Sequence, residues 1–303
     1  MRILLTGASG QVGSRLRPLL GALGEVWAPG RADFDLAAPG TLAVPLRAFR
    51  PDLVVNPAAY TAVDKAEDEE ALATRINAEA VGVLADEARR AGAALVHFST
   101  DYVFDGAGAT PWREDAPTAP LGAYGRSKLA GEGAVLRSGA AALILRTSWV
   151  YDARGKNFLD TMLRLGAERE ELRVVADQFG APTSAEAIAD GVLQILRAAM
   201  PDIAGSFRAK GAIVHLCCRG EVSWHGFAEA IFAGARRRGA SLAVKRVHPI
   251  GTSEYPTKAR RPANSRLALA RLAERFGVEP PTWQEALEAV LDQRLGRARG
   301  AQP

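Results

Sequence analysis

The sequence has few cysteines, no long apolar run and no apolar segment among its first residues. Its two cysteines, Cys217 and Cys218, are adjacent, so no disulfide framework is encoded and a reducing compartment is favoured. Apolar stretches such as residues 140–145 end at a charge long before the about 20 residues that a membrane-spanning helix needs. Because residues 2–6 lead straight into glycines without a signal peptide's apolar segment, we expect a cytoplasmic protein with no membrane partner.

The sequence also lacks a strong excess of either charge. It has 38 Lys and Arg residues against 34 Asp and Glu residues, and this net charge of +4 is too small for a protein whose main task is to coat nucleic acid. Its four histidines form no Cys/His cluster with zinc spacing. Hydrophobic residues make up 48% and charged residues 24%, which is typical of a folded globular protein of one large or two smaller α/β domains.

Short apolar runs rich in β-branched residues alternate with longer helical patterns through the first half of the chain. The predicted strands are residues 2–6, 25–28, 53–56, 94–98 and 142–146. Strands that are apolar almost throughout are expected where helices cover both faces of a sheet. The sequence therefore predicts a Rossmann-like, doubly wound parallel α/β fold.

The pattern loosens after Trp149, where a smaller region begins. We predict a strand over residues 172–175, a loop over 249–262, and helices over 157–168, 183–199, 223–238 and 282–293. These elements suggest a dinucleotide-binding domain over residues 1–151, to which the helix at about 183–199 returns. The smaller substrate-binding domain then takes in about 152–182 and 200–303.

A glycine-rich turn follows the first predicted strand and opens a helix. Gly7, Gly10 and Gly13 are three residues apart, unlike the Gly-x-Gly-x-x-Gly of the common dehydrogenase motif. Glycines permit a tight turn, so the backbone N–H groups at the start of the helix can meet a pyrophosphate. The alternative is a purely structural turn, but the strand-turn-helix context favours dinucleotide binding.

The residues after the second predicted strand bear on the choice between NADPH and NADH. A NAD-selective site usually carries an acidic residue here for the ribose 2′-hydroxyl, whereas this chain has Gly30 and Arg31. Arg31 can pair with a 2′-phosphate, which favours NADPH. If Arg31 is instead a solvated loop residue, Asp33 or Asp35 serves the ribose or adenine and NADH remains the alternative.

Tyr124 and Lys128 are four residues apart on a segment with helical character. This spacing places the two side chains about 40° apart around the helix axis, on one face. A positive Lys128 beside Tyr124 predicts a lowered tyrosine pKa and proton exchange near neutral pH. Thr100 comes just after the fourth predicted strand, at the sheet edge where open α/β folds bind ligands. Tyr-x-x-x-Lys alone would indicate an exposed helix pair, but with the glycine turn and Thr100 it predicts a catalytic group.

At these residues the chain resembles the extended short-chain dehydrogenases/reductases, which use this glycine spacing and a Ser/Thr, Tyr and Lys set. Further blocks narrow the resemblance to the dTDP-4-dehydrorhamnose reductase family: residues 56–67, 99–106, 146–151, 177–183, 255–257 and 261–265. The resemblance implies reduction of the C4 ketone of dTDP-4-dehydro-β-L-rhamnose by NADPH. It makes Tyr124 the proton donor, has Thr100 bond to the same oxygen, and has Lys128 also hold the nicotinamide ribose.

The motifs and the resemblance together assign two sets of contacts. The expected cofactor contacts are Gly7, Ser9, Gly10, Gln11, Val12, Gly13, Gly30, Arg31, Asp35, Leu36, Ala58, Ala59, Tyr60, Phe98, Tyr124 and Lys128. The expected substrate contacts are Thr100, Asp101, Tyr124, Trp149, Asn157, Gln178 and Arg260. Core packing is the alternative role for Trp149. The basic cluster of Lys258, Arg260 and Arg261 suits a diphosphate, with a solvated charged face as its alternative.

The chain departs from the family at a metal site. Some members hold Mg²⁺ at a dimer contact with acidic side chains, one of them on the first helix, where this chain has Arg15; Glu186 remains as an acidic partner. We predict catalysis without a metal, by a monomer or a homodimer. Two other functions fit the resemblance: a non-catalytic NADP-binding regulatory subunit like the β subunit of methionine adenosyltransferase, and a reductase or epimerase of another nucleotide sugar.

Overall fold

The structure, a computed structural model, describes residues 1–210 and 213–296. Within these residues the strands are β1 (Arg2–Leu5), β2 (Glu25–Trp27), β3 (Leu53–Asn56), β4 (Ala94–Thr100), β5 (Ala141–Thr147), β6 (Val150–Tyr151), β7 (Glu171–Val175), β8 (Phe179–Gly180), β9 (Thr183–Ser184), β10 (Ile213–His215), β11 (Val222–Ser223), β12 (Arg246–Ile250) and β13 (Asn264–Ser265). The helices are α1 (Gln11–Gly21), α2 (Ala43–Phe49), α3 (Val63–Ala66), α4 (Glu70–Thr74), α5 (Ala80–Ala91), α6 (Ala123–Ser138), α7 (Phe158–Glu168), α8 (Ala185–Ala199), α9 (Ile203–Lys210), α10 (Trp224–Arg237), α11 (Ala270–Phe276) and α12 (Trp283–Leu295).

Six of these strands form one parallel sheet in the order β10-β5-β4-β3-β1-β2. The predicted doubly wound α/β fold is therefore confirmed. The strand order reverses at β1, because β2 lies on one side of it and β3 on the other. In open α/β sheets, ligands bind outside the carboxyl ends of the strands at such a reversal.

Each face of the sheet is covered by helices, which explains the uninterrupted apolar strands. On β4, Val96 and Phe98 pack in a cluster with α1 and α8, whereas Leu95 points the other way into a cluster with α2 and α5. Side chains alternate across a strand, so a strand buried on both faces needs apolar residues at every position. Each fully buried Leu, Ile or Val stabilises the fold by about 1.5–3 kcal/mol relative to exposure.

The smaller region has its own core beside the sheet. α7, α10 and α12 bury Leu159, Ile231 and Leu287 in it, and β7 pairs in parallel with β12 along one side. Side-chain caps at Asn157, Ser184, Ser223 and Thr282 begin α7, α8, α10 and α12, where helices are predicted to start. None of the helices in the described ranges is both long enough and apolar enough to cross a membrane.

Part of the segment predicted to belong to the smaller domain, residues 200–303, joins the large sheet instead. β10 pairs with β5 as the sixth strand, and Phe207 of α9 and Leu272 of α11 pack in the same core as α1 and α8. The three residues of β10 lie after Trp149, where strand and helix patterns no longer alternate regularly, so the sequence does not mark them as part of the sheet. The helix predicted over 183–199 does return to the sheet, as α8.

Candidate active site

The glycine turn between β1 and α1 has the geometry that a bound dinucleotide needs. Gly7 has a φ of +57°, which favours glycine, and a Cβ on Gly13 would lie 2.1 Å from the Gly7 carbonyl oxygen. Gly10 begins the helix with no side-chain cap. The first N–H groups of α1 therefore remain available to an anion, and residues at the turn leave room for close backbone approach.

A cavity of about 350 Å³ opens beside this turn. It is lined by nine of the predicted cofactor residues: Gly7, Ser9, Gly30, Arg31, Asp35, Leu36, Ala58, Ala59 and Tyr60. Asp35, rather than Asp33, is among the lining residues, and its carboxylate already accepts a hydrogen bond from the Ala37 N–H at 2.9 Å. Asp35 therefore lies where it can meet the ribose, whereas Asp33 is not among the residues that line the cavity.

Arg17 also lines this cavity, and the sequence motifs give no indication of it. It lies on α1 one turn beyond the glycine turn, so only the helical geometry brings it to the same cavity as Arg31. Within the described residues, neither guanidinium makes an ion pair or a side-chain hydrogen bond. Two positive groups thus face the end of the cavity where β2 ends.

The catalytic candidates lie at the carboxyl end of β4 and on the first turns of α6. Thr100 is the last residue of β4, and Tyr124 and Lys128 are on α6. The Lys128 Nζ donates a hydrogen bond to the Phe98 carbonyl oxygen at 2.6 Å, and the side chain is only 2% exposed. Burial lowers the pKa of Lys128 to about 8, although the Glu132 carboxylate one turn away opposes the shift.

The predicted lowering of the Tyr124 pKa is wrong. Burial raises this pKa, the nearby Asp101 carboxylate adds to the effect, and a hydrogen bond with Thr100 opposes it. Tyr124 and Lys128 do lie about one turn apart on α6, but the Lys128 ammonium is hydrogen-bonded to the Phe98 carbonyl oxygen. The phenol therefore stays protonated at neutral pH, and this state can donate a proton.

Asp101 is a buried carboxyl group beside Thr100 and Tyr124. It is 2% exposed, and burial raises its pKa to about 6, although the nearby Ser265 and Thr100 hydroxyl groups oppose the shift. Its Oδ1 accepts from the Thr100 hydroxyl at 3.0 Å, while its Oδ2 has no hydrogen-bond partner within the described residues. A buried acceptor left unsatisfied costs about 1–3 kcal/mol, so this oxygen is suited to a ligand hydroxyl.

The predicted basic cluster is largely neutralised by α3 and the residues after it. Arg261 Nη2 bonds to Asp64 Oδ2 at 2.7 Å, and Lys258 pairs with Asp68. Arg260 is exposed and makes no ion pair within the described part of the chain. Of the three cations, Arg260 is therefore the one available to a diphosphate.

The remaining predicted substrate residues differ in placement. Trp149 lies at the edge of the sheet that carries Thr100, because Thr147 at the end of β5 pairs with Thr100 at the end of β4. Gln178 is buried and donates to Thr252 at 3.1 Å, and Asn157 caps α7 while donating to Gln11 at 3.1 Å. These last two side chains hold neighbouring segments together.

Arg15 lies on α1, where the resemblance would lead one to expect an acidic metal ligand. Its Nη2 bonds to Asp152 Oδ1 at 2.6 Å and to Gln293 Oε1 at 2.8 Å, and Gln293 bonds in turn to Glu186. A guanidinium thus supplies the positive charge among these side chains. Within residues 1–210 and 213–296, no group of three or more His, Cys, Asp or Glu side chains is arranged to hold a metal ion.

The parallel sheet, the glycine turn and the grouping of Thr100, Tyr124 and Lys128 define an extended short-chain dehydrogenase/reductase. The family model described as the RmlD substrate binding domain matches residues 1–295. The chain is 53% identical over 300 residues to the dTDP-4-dehydrorhamnose reductase of Burkholderia thailandensis, covering 98% of this chain and 100% of that protein. The chain belongs to the dTDP-4-dehydrorhamnose reductase family.

Two further proteins support this assignment. The dTDP-4-dehydrorhamnose reductase of Escherichia coli K12 is 45% identical, with 97% of this chain and 98% of that protein covered. The crystal structure of dTDP-4-dehydrorhamnose reductase from Bacillus anthracis, in complex with NADP, matches with a TM-score of 0.87 and 34% identity. That match covers 96% of this chain and 99% of the other.

Proposed function

We propose that this protein reduces the C4 ketone of dTDP-4-dehydro-β-L-rhamnose to dTDP-β-L-rhamnose with NADPH. The observation that carries the proposal is the grouping of Thr100, Tyr124 and Lys128 at the end of β4 and the start of α6, in a chain that matches reductases of this name over nearly its full length. Tyr124 packs against the same buried cluster as Tyr60, which lines the dinucleotide cavity. This grouping suits proton delivery to a carbonyl oxygen next to a hydride donor.

The uncapped start of α1 and the glycine turn fit a dinucleotide, with the backbone N–H groups directed at its pyrophosphate. When bound there, NADPH supplies the hydride for carbonyl reduction. Arg31 and Arg17 would hold its 2′-phosphate, since both line the end of the cavity without an ion-pair partner in the described residues. Phosphate binding by two guanidinium groups favours NADPH over NADH.

The proton chemistry follows from the protonation states of three side chains. Tyr124, whose pKa is raised, is a neutral phenol at pH 7 and gives its proton to the oxygen that becomes the C4 hydroxyl. The Thr100 hydroxyl, which donates to Asp101 Oδ1 in this structure, turns to donate to the same oxygen as negative charge develops on it. Lys128, with a pKa of about 8, is mostly protonated at pH 7, and its ammonium, which donates to the Phe98 carbonyl oxygen, would also donate to the nicotinamide ribose.

We assign the substrate contacts to three kinds of group: a buried acceptor without a partner, an aromatic ring and an exposed cation without an ion pair in the described residues. Asp101 Oδ2 accepts a hydrogen bond from a sugar hydroxyl, which satisfies the buried acceptor. Trp149 packs against the apolar C–H face of the sugar. Arg260, exposed on the loop after β12, approaches the diphosphate.

The proposal is tested by supplying the keto-sugar, following NADPH absorbance and identifying the product by mass. Loss of one NADPH per deoxysugar formed supports the reductase. A protein that binds NADPH but oxidises none with the keto-sugar would fit the regulatory-subunit alternative. Conversion of the sugar without net NADPH consumption would fit an epimerase.

We place this enzyme in the cytoplasm, as a monomer or a homodimer that uses no metal. Support for a reducing compartment comes from Cys217 and Cys218, which are adjacent, buried and free. Burial raises the pKa of both thiols, which keeps them protonated and unreactive. Fractionation and light scattering with and without EDTA test these assignments.

A further inference from the structure

The indole rings of Trp149 and Trp224 are stacked face to face. Their centroids are 3.6 Å apart and their planes differ by 11°. Trp224 is the first residue of α10, in the smaller region, whereas Trp149 follows β5 of the large sheet. The stack therefore connects the two regions at the edge where the catalytic candidates lie.

Trp149 is held in an unusual conformation. Its φ is +49°, in the left-handed region that a bulky residue adopts only when its surroundings impose it. Gly180 lies directly against the indole, because a Cβ on Gly180 would be 2.8 Å from Trp149 Cε2. The indole thus has a tight contact at Gly180 and a stacked partner at Trp224, and these contacts determine how it is oriented.

A three-stranded sheet brings these groups and Asp101 to one place. β8 is its central strand, with Gly180 paired to Val222 of β11 on one side and to Ser265 of β13 on the other. Trp224 follows β11 directly, and Ser265 of β13 lies close enough to Asp101 to affect the pKa of its carboxyl group. The same short sheet therefore positions an aromatic pair at one edge and the buried carboxyl of the catalytic group at the other.

Trp224 is itself supported by the core of the smaller region. Phe158 packs against it with a centroid distance of 4.6 Å and stacks in turn on Phe227, which is fully buried. Ser223 caps α10 by accepting from the Gly226 N–H at 3.1 Å, which determines where the helix and Trp224 begin. The position of Trp149 is thus linked to that core through a continuous row of aromatic rings.

We propose that Trp224 is a positioning residue for the nucleotide-sugar substrate, acting by holding the Trp149 indole in the orientation against which the sugar packs. This inference rests on the proposed function, because it takes Trp149 as the sugar contact. An aromatic pair of this kind contributes about 0.5–1.5 kcal/mol beyond its buried area. Its loss is felt in substrate affinity, because Trp224 does not contact the reacting groups.

The test measures steady-state constants for Trp224→Ala and Trp224→Phe. In Trp224→Ala we expect the KM for the keto-sugar to rise about tenfold, with kcat and the KM for NADPH within about twofold of wild type. Trp224→Phe should restore the KM to within about threefold, since a phenyl ring still stacks on the indole. The exciton couplet of stacked indoles in circular dichroism should disappear in both variants.

The matched control is Trp283→Phe, which changes a buried tryptophan in the same core that packs edge-on to Phe227 at 6.1 Å. It should leave the keto-sugar KM and the couplet unchanged. An unchanged or lowered keto-sugar KM in Trp224→Ala would overturn the inference, as would equal losses in kcat and NADPH affinity. If Trp224→Ala does not fold, a keto-sugar KM in Trp224→Phe below the wild-type value would overturn it. Wild-type protein that fails to oxidise NADPH would instead contradict the proposed function.

Discussion

The cofactor side and the substrate side of the crevice are built in different ways. On the cofactor side, one contiguous turn brings β1 and α1 close together through Gly7 and Gly13, and short segments directly after β2 and β3 add most of the remaining lining. On the substrate side, Asp101, Trp149 and Ser265 come from segments far apart in the chain and depend on side-chain packing. Local backbone geometry therefore determines the cofactor side, whereas the substrate side needs the smaller region to be folded and packed in place.

The largest effect on turnover is expected from substitution of Tyr124, the proposed proton donor. Tyr124→Phe removes the proton donor, so we expect kcat to fall about 10²–10⁴-fold while the Kd for NADPH changes less than about twofold. Isothermal titration and initial rates measure the two quantities. Tyr255→Phe, at an exposed position, is the matched control and should behave as wild type. Retained turnover in Tyr124→Phe would exclude the tyrosine as the acid.

Gly13→Ala should weaken cofactor binding through the glycine turn, without changing the substrate contacts. The added methyl would lie 2.1 Å from the Gly7 carbonyl oxygen, so the turn must shift. We expect a loss of about 1–3 kcal/mol in the free energy of unfolding and NADPH binding weaker by about 10- to 100-fold.

Gly21→Ala is a control on the same helix, because nothing lies within 4 Å of its added Cβ. It should leave NADPH affinity unchanged and raise the stability by about 0.5–1 kcal/mol. Equal NADPH binding by both glycine variants, measured by fluorescence titration, would show that the turn does not hold the cofactor.

The substrate side should show a dependence of stability on pH through Asp101. Its pKa is raised from 3.8 to about 6 in the folded protein, so the unfolded state releases the proton first as the pH rises. Folding stability is therefore unaffected by this group below pH 4 and falls by about 3 kcal/mol between pH 4 and 7.

Asp101→Asn removes this titration. Urea unfolding should show the variant more stable than wild type at pH 7 and nearly equal to it at pH 4. Its affinity for the keto-sugar should fall, since the amide cannot replace the carboxylate oxygen in every hydrogen bond. A stability difference that does not change with pH would contradict the raised pKa.

The smallest expected effects come from removing the two arginines of the cofactor cavity, which leaves its backbone contacts in place. Arg31→Ala should raise the KM for NADPH about tenfold, and Arg17→Ala about threefold, with the KM for NADH unchanged in each. Weaker binding of both cofactors to the same extent would show that these guanidinium groups do not contact the 2′-phosphate.

The two halves also differ in how far they could be predicted from the sequence. The glycine turn, the strand ends and the Tyr124–Lys128 spacing are local patterns, and the parallel fold that they predict is confirmed. Arg17 was missed because a single arginine on a helix carries no motif. Trp224 and Ser265 were missed because the pairing of β11 and β13 with β8 joins short segments that have no periodic pattern.

The Tyr124 pKa shows the same limit. Helical spacing predicts the nearby lysine, but it cannot show that Lys128 is bonded to Phe98 or that Asp101 is buried beside the phenol. β10 was not predicted because it lies after Trp149, where strands and helices no longer alternate regularly along the chain.

Transfer of deuterium from NADPH that carries deuterium at both positions on C4 of the nicotinamide tests the central claim most directly. Incubation of this protein with the labelled cofactor and dTDP-4-dehydro-β-L-rhamnose should give dTDP-L-rhamnose carrying one deuterium at C4 of the sugar. Product without deuterium at that carbon, or labelled cofactor that stays intact while the wild-type protein is folded and saturated with both substrates, would contradict the account.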